Sequence, residues 1–113
     1  MERQYFVYIL SNQRRTVLYT GITNNLLRRV WEHHHGYGSK FARKYHCFRL
    51  VCYEIFRDPS NAISREKQIK AGSRERKIRL IETMNPEWRD LYWDLTGSDR
   101  IASEPLAPRN DSA

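Results

Sequence analysis

The stretch LYTGITNNLLRRVWEH, Leu18 to His33, passes from a strand pattern to a helix pattern within a few residues. Thr16 to Gly21 (TVLYTG) reads as a short strand, Thr23-Asn24-Asn25 supplies N-cap candidates, and the apolar positions Leu26, Leu27, Val30 and Trp31 fall one helical turn apart. Gly36 is the expected C-terminal stop. Across this junction Tyr19, Arg29 and His33 stand ten and then four residues apart. Residues four apart on a helix stack on one side, so a strand phenol is followed by a guanidinium and an imidazole on a shared helix face.

Working outward, Gln4 to Leu10 (QYFVYIL) is aromatic and β-branched and is followed by the polar turn SNQRR, which makes a hairpin with the strand holding Tyr19. Phe6, Tyr8 and Leu10 alternate onto one face, and the hairpin brings Tyr19 alongside, so two phenols become neighbours. Downstream comes GYGSKFARKYH, a basic and aromatic connector, then a third strand from Phe48 to Phe56. Asp58-Pro59 caps and opens a helix, PSNAISREKQIKA, which Gly72 stops; Ser73 caps another, RERKIRLIETM, which Asn85-Pro86 ends. EWRDLYWDL remains as a short aromatic packing segment. The β-β-α-β-α-α order predicts an α+β domain over residues 1–96, a small three-stranded antiparallel sheet flanked by helices. Residues 97–113 hold half of the four prolines and few large apolar groups, and read as a disordered tail.

A chain of 113 residues has room for one domain with a small core. No apolar run approaches the roughly 20 residues of a membrane span, and the start lacks a secretory signal, so the expected location is cytoplasmic. Cys47 and Cys52 are the only cysteines; without a second pair for zinc they are expected to be free, buried thiols on opposite faces. The tail carries two arginines and three acids, so the first 96 residues hold 18 basic against 10 acidic side chains. Such a surface gains affinity for phosphates by counterion release, which makes nucleic acid the leading partner class.

Each candidate has a structural reading beside the functional one. Tyr8 alone is a core residue, Arg29 a snorkelling surface cation and His33 a helix-end residue favoured by the dipole. Glu66 is different: it follows Ala62 by four and Ile63 by three and precedes Ile69 by three, which puts a carboxylate in an apolar face. Burial of that charge calls for a cation, either Arg29 in an ion pair or a metal ion, with Lys70 one turn on as a further neutraliser. The run His33-His34-His35 does not make a metal site, because helix neighbours diverge by about 100°.

These residues together resemble the GIY-YIG nuclease family in its small stand-alone bacterial form. Phe6-Val7-Tyr8 and Tyr19-Thr20-Gly21 match its two name-giving motifs, with eleven residues between the tyrosines. Arg29, His33 and Glu66 match its arginine, its histidine or aromatic, and its metal-ligand glutamate; NPEWRDL is similar to a closing segment of stand-alone members. The resemblance implies a metal-dependent endonuclease acting on structured or damaged DNA without strong sequence specificity, with one Mg²⁺ or Mn²⁺ held by Glu66. It gives Arg29 the scissile phosphate and Tyr19 the role of general base, with His33 as a proton relay and Tyr8 orienting the water or Tyr19. Lys40, Arg43, Lys44, Tyr45 and Lys70 would contact the nucleic-acid backbone. The alternative is a catalytically weak or inactive nucleic-acid adaptor; RNA is a third possible target.

Overall fold

Strand β1, Tyr5–Ser11, is buried without interruption from Val7 to Ser11. A strand apolar on both sides of its pleat must be covered on both faces. The computed structural model describes residues 3–97 and places β1 at the centre of a three-stranded antiparallel sheet of order β2-β1-β3. Here β2 is Leu18–Thr23 and β3 is Arg49–Phe56. The hairpin loop closes on Asn12, whose Oδ1 accepts from the Thr16 and Val17 amides at 2.9 and 3.1 Å, a side chain standing in for backbone in a turn. The resulting register sets Leu10 opposite Tyr19 and Tyr8 opposite Gly21.

The helices are α1 (Leu26–His34), α2 (Lys40–Lys44), α3 (Pro59–Ala71), α4 (Arg74–Met84) and α5 (Tyr92–Thr96). Asn25, Asp58 and Ser73 cap α1, α3 and α4 through side-chain oxygens that accept from Arg28, Asn61 and Arg76 amides, as their sequence positions predict. One sheet face, Val7, Ile9 and Cys52, packs against Ala62, Ile69 and Ile81 of α3 and α4 and against Trp88. The other, Tyr8, Leu10 and Leu50, packs against Leu26, Val30, Ala42 and Leu91. Between Ile9–Cys52 and Leu10–Leu50 the register shifts, leaving Val51 as an extra residue on β3. This β-bulge explains why Val51 and Cys52, though adjacent, both enter the α3–α4 core.

Cys47 and Cys52 are free and buried in different cores, as expected. Burial pushes their thiols up to about 11 and about 12, which keeps them protonated and unreactive. The connector carries the one-turn helix α2, docked by fully buried Ala42, and the closing segment ends in α5; the β-β-α-β-α-α order read from the sequence contains neither helix. Leu27 and Trp31 are 41% and 44% exposed, so α1 buries only Leu26, Val30 and His33. Ile63 also faces outward, which narrows the apolar face around Glu66 to Ala62 and Ile69. The predicted tail from Ser98 onward lies outside the described residues. Among the described residues no helix is long and apolar enough to cross a membrane.

Candidate active site

The site begins with an absence of atoms. Opposite Tyr8 the register places Gly21, and a Cβ there would stand 2.5 Å from the Tyr8 Cζ. Glycine is required by close approach, since no bonded rearrangement of a central strand would clear an aromatic ring. The Tyr8 ring therefore lies over the β2 backbone toward α1, where its Oη and His33 Nε2 share a hydrogen bond of 3.2 Å. Gly38 closes the other side: a Cβ on it would come 2.5 Å from His33 Cε1. Tyr8 and His33 are each 1% exposed, and among the described residues His33 Nδ1 is buried without a partner.

Burial sets their protonation. It pushes the Tyr8 phenol up to about 12, with the Arg29 guanidinium opposing part of the rise. It lowers His33 to about 4, helped by the charge of Arg29. At neutral pH both are uncharged, so the dipole-favoured imidazolium expected for a helix end does not form at His33. Arg29, one turn before His33, donates from Nη1 to Glu32 Oε1 at 3.0 Å and remains about one-third exposed. Arg28 beside it is 66% exposed, so Arg29 is the arginine that faces Tyr8.

Tyr19 stands at the mouth. Its ring centroid lies 6.4 Å from Tyr8 and 5.6 Å from His33, and it stacks on Phe41 at 6.1 Å and 28°. With Thr20, Phe41, Lys70 and Lys77 it lines a shallow, open depression of about 300 Å³. Lys70 Nζ bonds Glu66 Oε2 at 2.7 Å across one turn of α3. Of the counter-charges that the sequence allowed for Glu66, the structure forms the Lys70 pair; among the described residues Arg29 pairs with Glu32 on its own helix and not with Glu66. Glu66 keeps 14% of its side chain exposed.

The three histidines diverge as helix geometry dictates: His33 turns to Tyr8, His34 to Asp90 at 3.3 Å, and His35 to the Trp31 carbonyl at 2.8 Å. Among the described residues no three His, Cys, Asp or Glu side chains converge as a metal cage. Arg43 reaches the Gly36 carbonyl at 3.4 Å and Lys44 lies 5.3 Å over the Tyr45 ring, while Lys40 is exposed at the start of α2. Sequence reasoning missed Gly38, Glu32 and Phe41. The two glycines of Gly36-Tyr37-Gly38 were the available signal for a close backbone approach. A larger concavity of about 730 Å³, between Gln4, Leu27, Ile55 and Leu95, brings together no carboxylate, histidine or cysteine among the described residues.

A two-tyrosine hairpin backed by an arginine–histidine helix, on a three-stranded α+β scaffold, defines a nuclease-type catalytic domain. Residues 4–79 match the GIY-YIG catalytic domain, and the chain belongs to the GIY-YIG family. It is 44% identical over 81 residues to a UPF0213 protein of Natronomonas pharaonis, covering 72% of this chain and 94% of that protein. It is 38% identical over 87 residues to one of Oceanobacillus iheyensis, covering 77% and 100%. The solution NMR structure of a UPF0213 protein from Bacillus halodurans superposes with a TM-score of 0.51 at 30% identity, covering 80% of this chain and 95% of that one. Nucleic acid is the substrate class of the family's nucleases.

Proposed function

We propose that the protein is a divalent-metal-dependent endonuclease that hydrolyses phosphodiester bonds in structured or damaged DNA. The observation that carries this reading is the position of Tyr19. It touches the buried Tyr8–His33 pair on one side and, on the other, lines an open depression with Lys70, which is bonded to Glu66.

Glu66 would hold Mg²⁺ or Mn²⁺. A partly exposed carboxylate, bonded to Lys70 of its own helix, suits a hard cation that takes its remaining ligands from water and phosphate. When bound, the ion supplies charge neutralisation at the phosphate. The chain's own groups do the rest. Tyr8 keeps its proton, and His33 Nε2 is already engaged with Tyr8. Tyr19 is thus the phenol placed to act as general base; in that role it must first release its own proton to solvent, and the phenolate, which Arg29 and a bound ion would favour, then takes the proton of the attacking water. Arg29 offers planar donors to the phosphate oxygens as negative charge builds. His33 and Tyr8 fix the Tyr19 ring from behind, and Lys70 attracts the backbone.

The test is incubation of plasmid, single-stranded, flap and four-way-junction DNA with Mg²⁺ or Mn²⁺, beside Glu66→Ala and Arg29→Ala. Metal-dependent nicking that falls by about a hundredfold or more in each variant is the expected result. Tight binding without cutting by any of the proteins would leave an adaptor in which Lys70 permanently neutralises Glu66.

A further inference from the structure

We propose that the exposed rings of Trp31, Tyr37, Phe41 and Tyr45 form a stacking surface for unpaired bases of a DNA single strand that runs into the Tyr19 depression. Only the direction of that strand rests on the nuclease reading. Four large aromatic side chains within fifteen residues are left 44%, 70%, 47% and 39% exposed. Burying any of them in the core would have been favourable, so their exposure calls for a use.

Their geometry is that of a platform. Trp31 stacks on His35 at 4.1 Å and 24° and lies near-parallel to Tyr37, with centroids 6.2 Å apart. Phe41 stacks on Tyr19 and meets Tyr45 at 4.8 Å. Both groups are carried by one piece of chain, whose Gly38 lies against His33 between them. The aromatic surface thus continues directly from the proposed catalytic phenol.

Charge selects the partner. From His33 to Tyr53 the chain has four cations and no acidic residue, and Lys40, Arg43 and Lys44 are exposed on the same short helix as Phe41. Flat π-faces alternating with cations match a strand whose bases stack while its phosphates pair with lysine and arginine. A duplex keeps its base faces stacked on one another and offers only phosphates here. The platform therefore favours flaps, gaps and other unpaired regions.

The experiment is binding in EDTA, where no cutting occurs, read by anisotropy and by quenching of Trp31, which is the exposed member of the three tryptophans. The probes are an oligothymidylate of roughly a dozen nucleotides, an abasic phosphodiester of equal length and charge, and a duplex. The oligothymidylate is expected to bind about tenfold or more tighter than the abasic strand and to quench Trp31. Trp31→Ala and Phe41→Ala should each weaken oligothymidylate binding by about 5- to 100-fold and leave abasic binding unchanged. Equal affinity for the base-bearing and abasic strands in the unaltered protein overturns the proposal, whatever the fate of the variants. So does self-association that shields Trp31 without DNA. Loss of metal-dependent cutting alone would strike the nuclease reading and leave this result standing.

Discussion

His33 is a base that its surroundings keep uncharged, and that has a cost visible in acid. Burial and Arg29 lower it from 6.5 to about 4, with Glu32 opposing, so between those values the unfolded chain binds a proton that the folded chain refuses. Stability must therefore rise with pH through this window and be lost as pH falls from about 6.5 toward 4. The drop corresponds to on the order of 3 kcal/mol. Urea midpoints at pH 7.5 and 4.5 should show the unaltered protein losing about 2 to 3 kcal/mol more than His33→Phe, whose ring cannot titrate. Equal losses would mean that His33 is hydrated in solution. Gly21 makes a second residue-scale case, because its backbone is unstrained and only the Tyr8 ring forbids a side chain. Gly21→Ala should cost roughly 1–3 kcal/mol by overpacking. In a double-mutant cycle with Tyr8→Leu most of that cost should vanish, which thermal denaturation of the four proteins would reveal. Strand and helix periods made Tyr8 and Tyr19 legible as neighbours and Arg29 and His33 as one helix face, and the family resemblance joined the two pairs. Glu32 as the partner of Arg29, and Gly38 against His33, were not legible, since both depend on how a connector folds back over a helix end.

The elements show the same division between local and distant causes. Capping residues, Pro59 at the start of α3 and the glycine after it stand where sequence placed them, because a cap acts within four residues. The bulge at Val51 had no such signal; it arises where β3 must serve two cores and an outer edge at once. That edge is closed by the segment after α4. Leu50 N donates to Asp90 Oδ1 at 3.1 Å, Leu91 N donates to Leu50 O at 2.8 Å, and Asn85 Nδ2 donates to Val51 O at 3.2 Å. Asn85 also donates to the Arg89 carbonyl and accepts from its amide, at 2.8 and 3.0 Å. The resemblance of NPEWRDL to a closing segment thus acquires a physical meaning: it satisfies a sheet edge that would otherwise expose unpaired groups. Asn85 is only 3% exposed, so Asn85→Ala leaves buried backbone groups without partners and should destabilise by about 2–4 kcal/mol. Asn85→Asp, which keeps the acceptor but sets a buried carboxylate oxygen against the Val51 and Arg89 carbonyls, should destabilise at least as much in chemical denaturation at neutral pH. A loss under about 0.5 kcal/mol for the alanine variant would show that the segment is not coupled to β3.

For the whole molecule, net charge names the partner class but cannot choose a face. The chain is +7 overall, and cations occur on both helix layers: Lys40, Arg43 and Lys44 on the α1–α2 side, Arg74, Arg76 and Arg79 on α4 across the sheet. Polyanions are attracted to both layers. What separates them is company: Lys70 and Lys77 reach the Tyr19 depression from α3 and α4, but it is the α2 cations that stand on the same short helix as the exposed Phe41 ring, which lines that depression and stacks on Tyr19. If nucleic acid lies there, phosphates pair with the α2 cations and release counterions, while Arg79 of α4, which does not line the depression, contributes only a screened field. Affinity for a short DNA duplex, measured from about 50 to 200 mM salt, should then fall linearly on a log–log plot. Lys40→Ala should flatten that slope by about one, and Arg79→Ala should leave it unchanged. The reverse pattern would put the bound backbone on the α3–α4 side, and equal flattening would mean that the charge is diffuse and the binding unoriented. A slope is the right readout here because a mutation that merely loosens the fold lowers affinity at every salt concentration, whereas removal of a phosphate contact changes how many counterions leave.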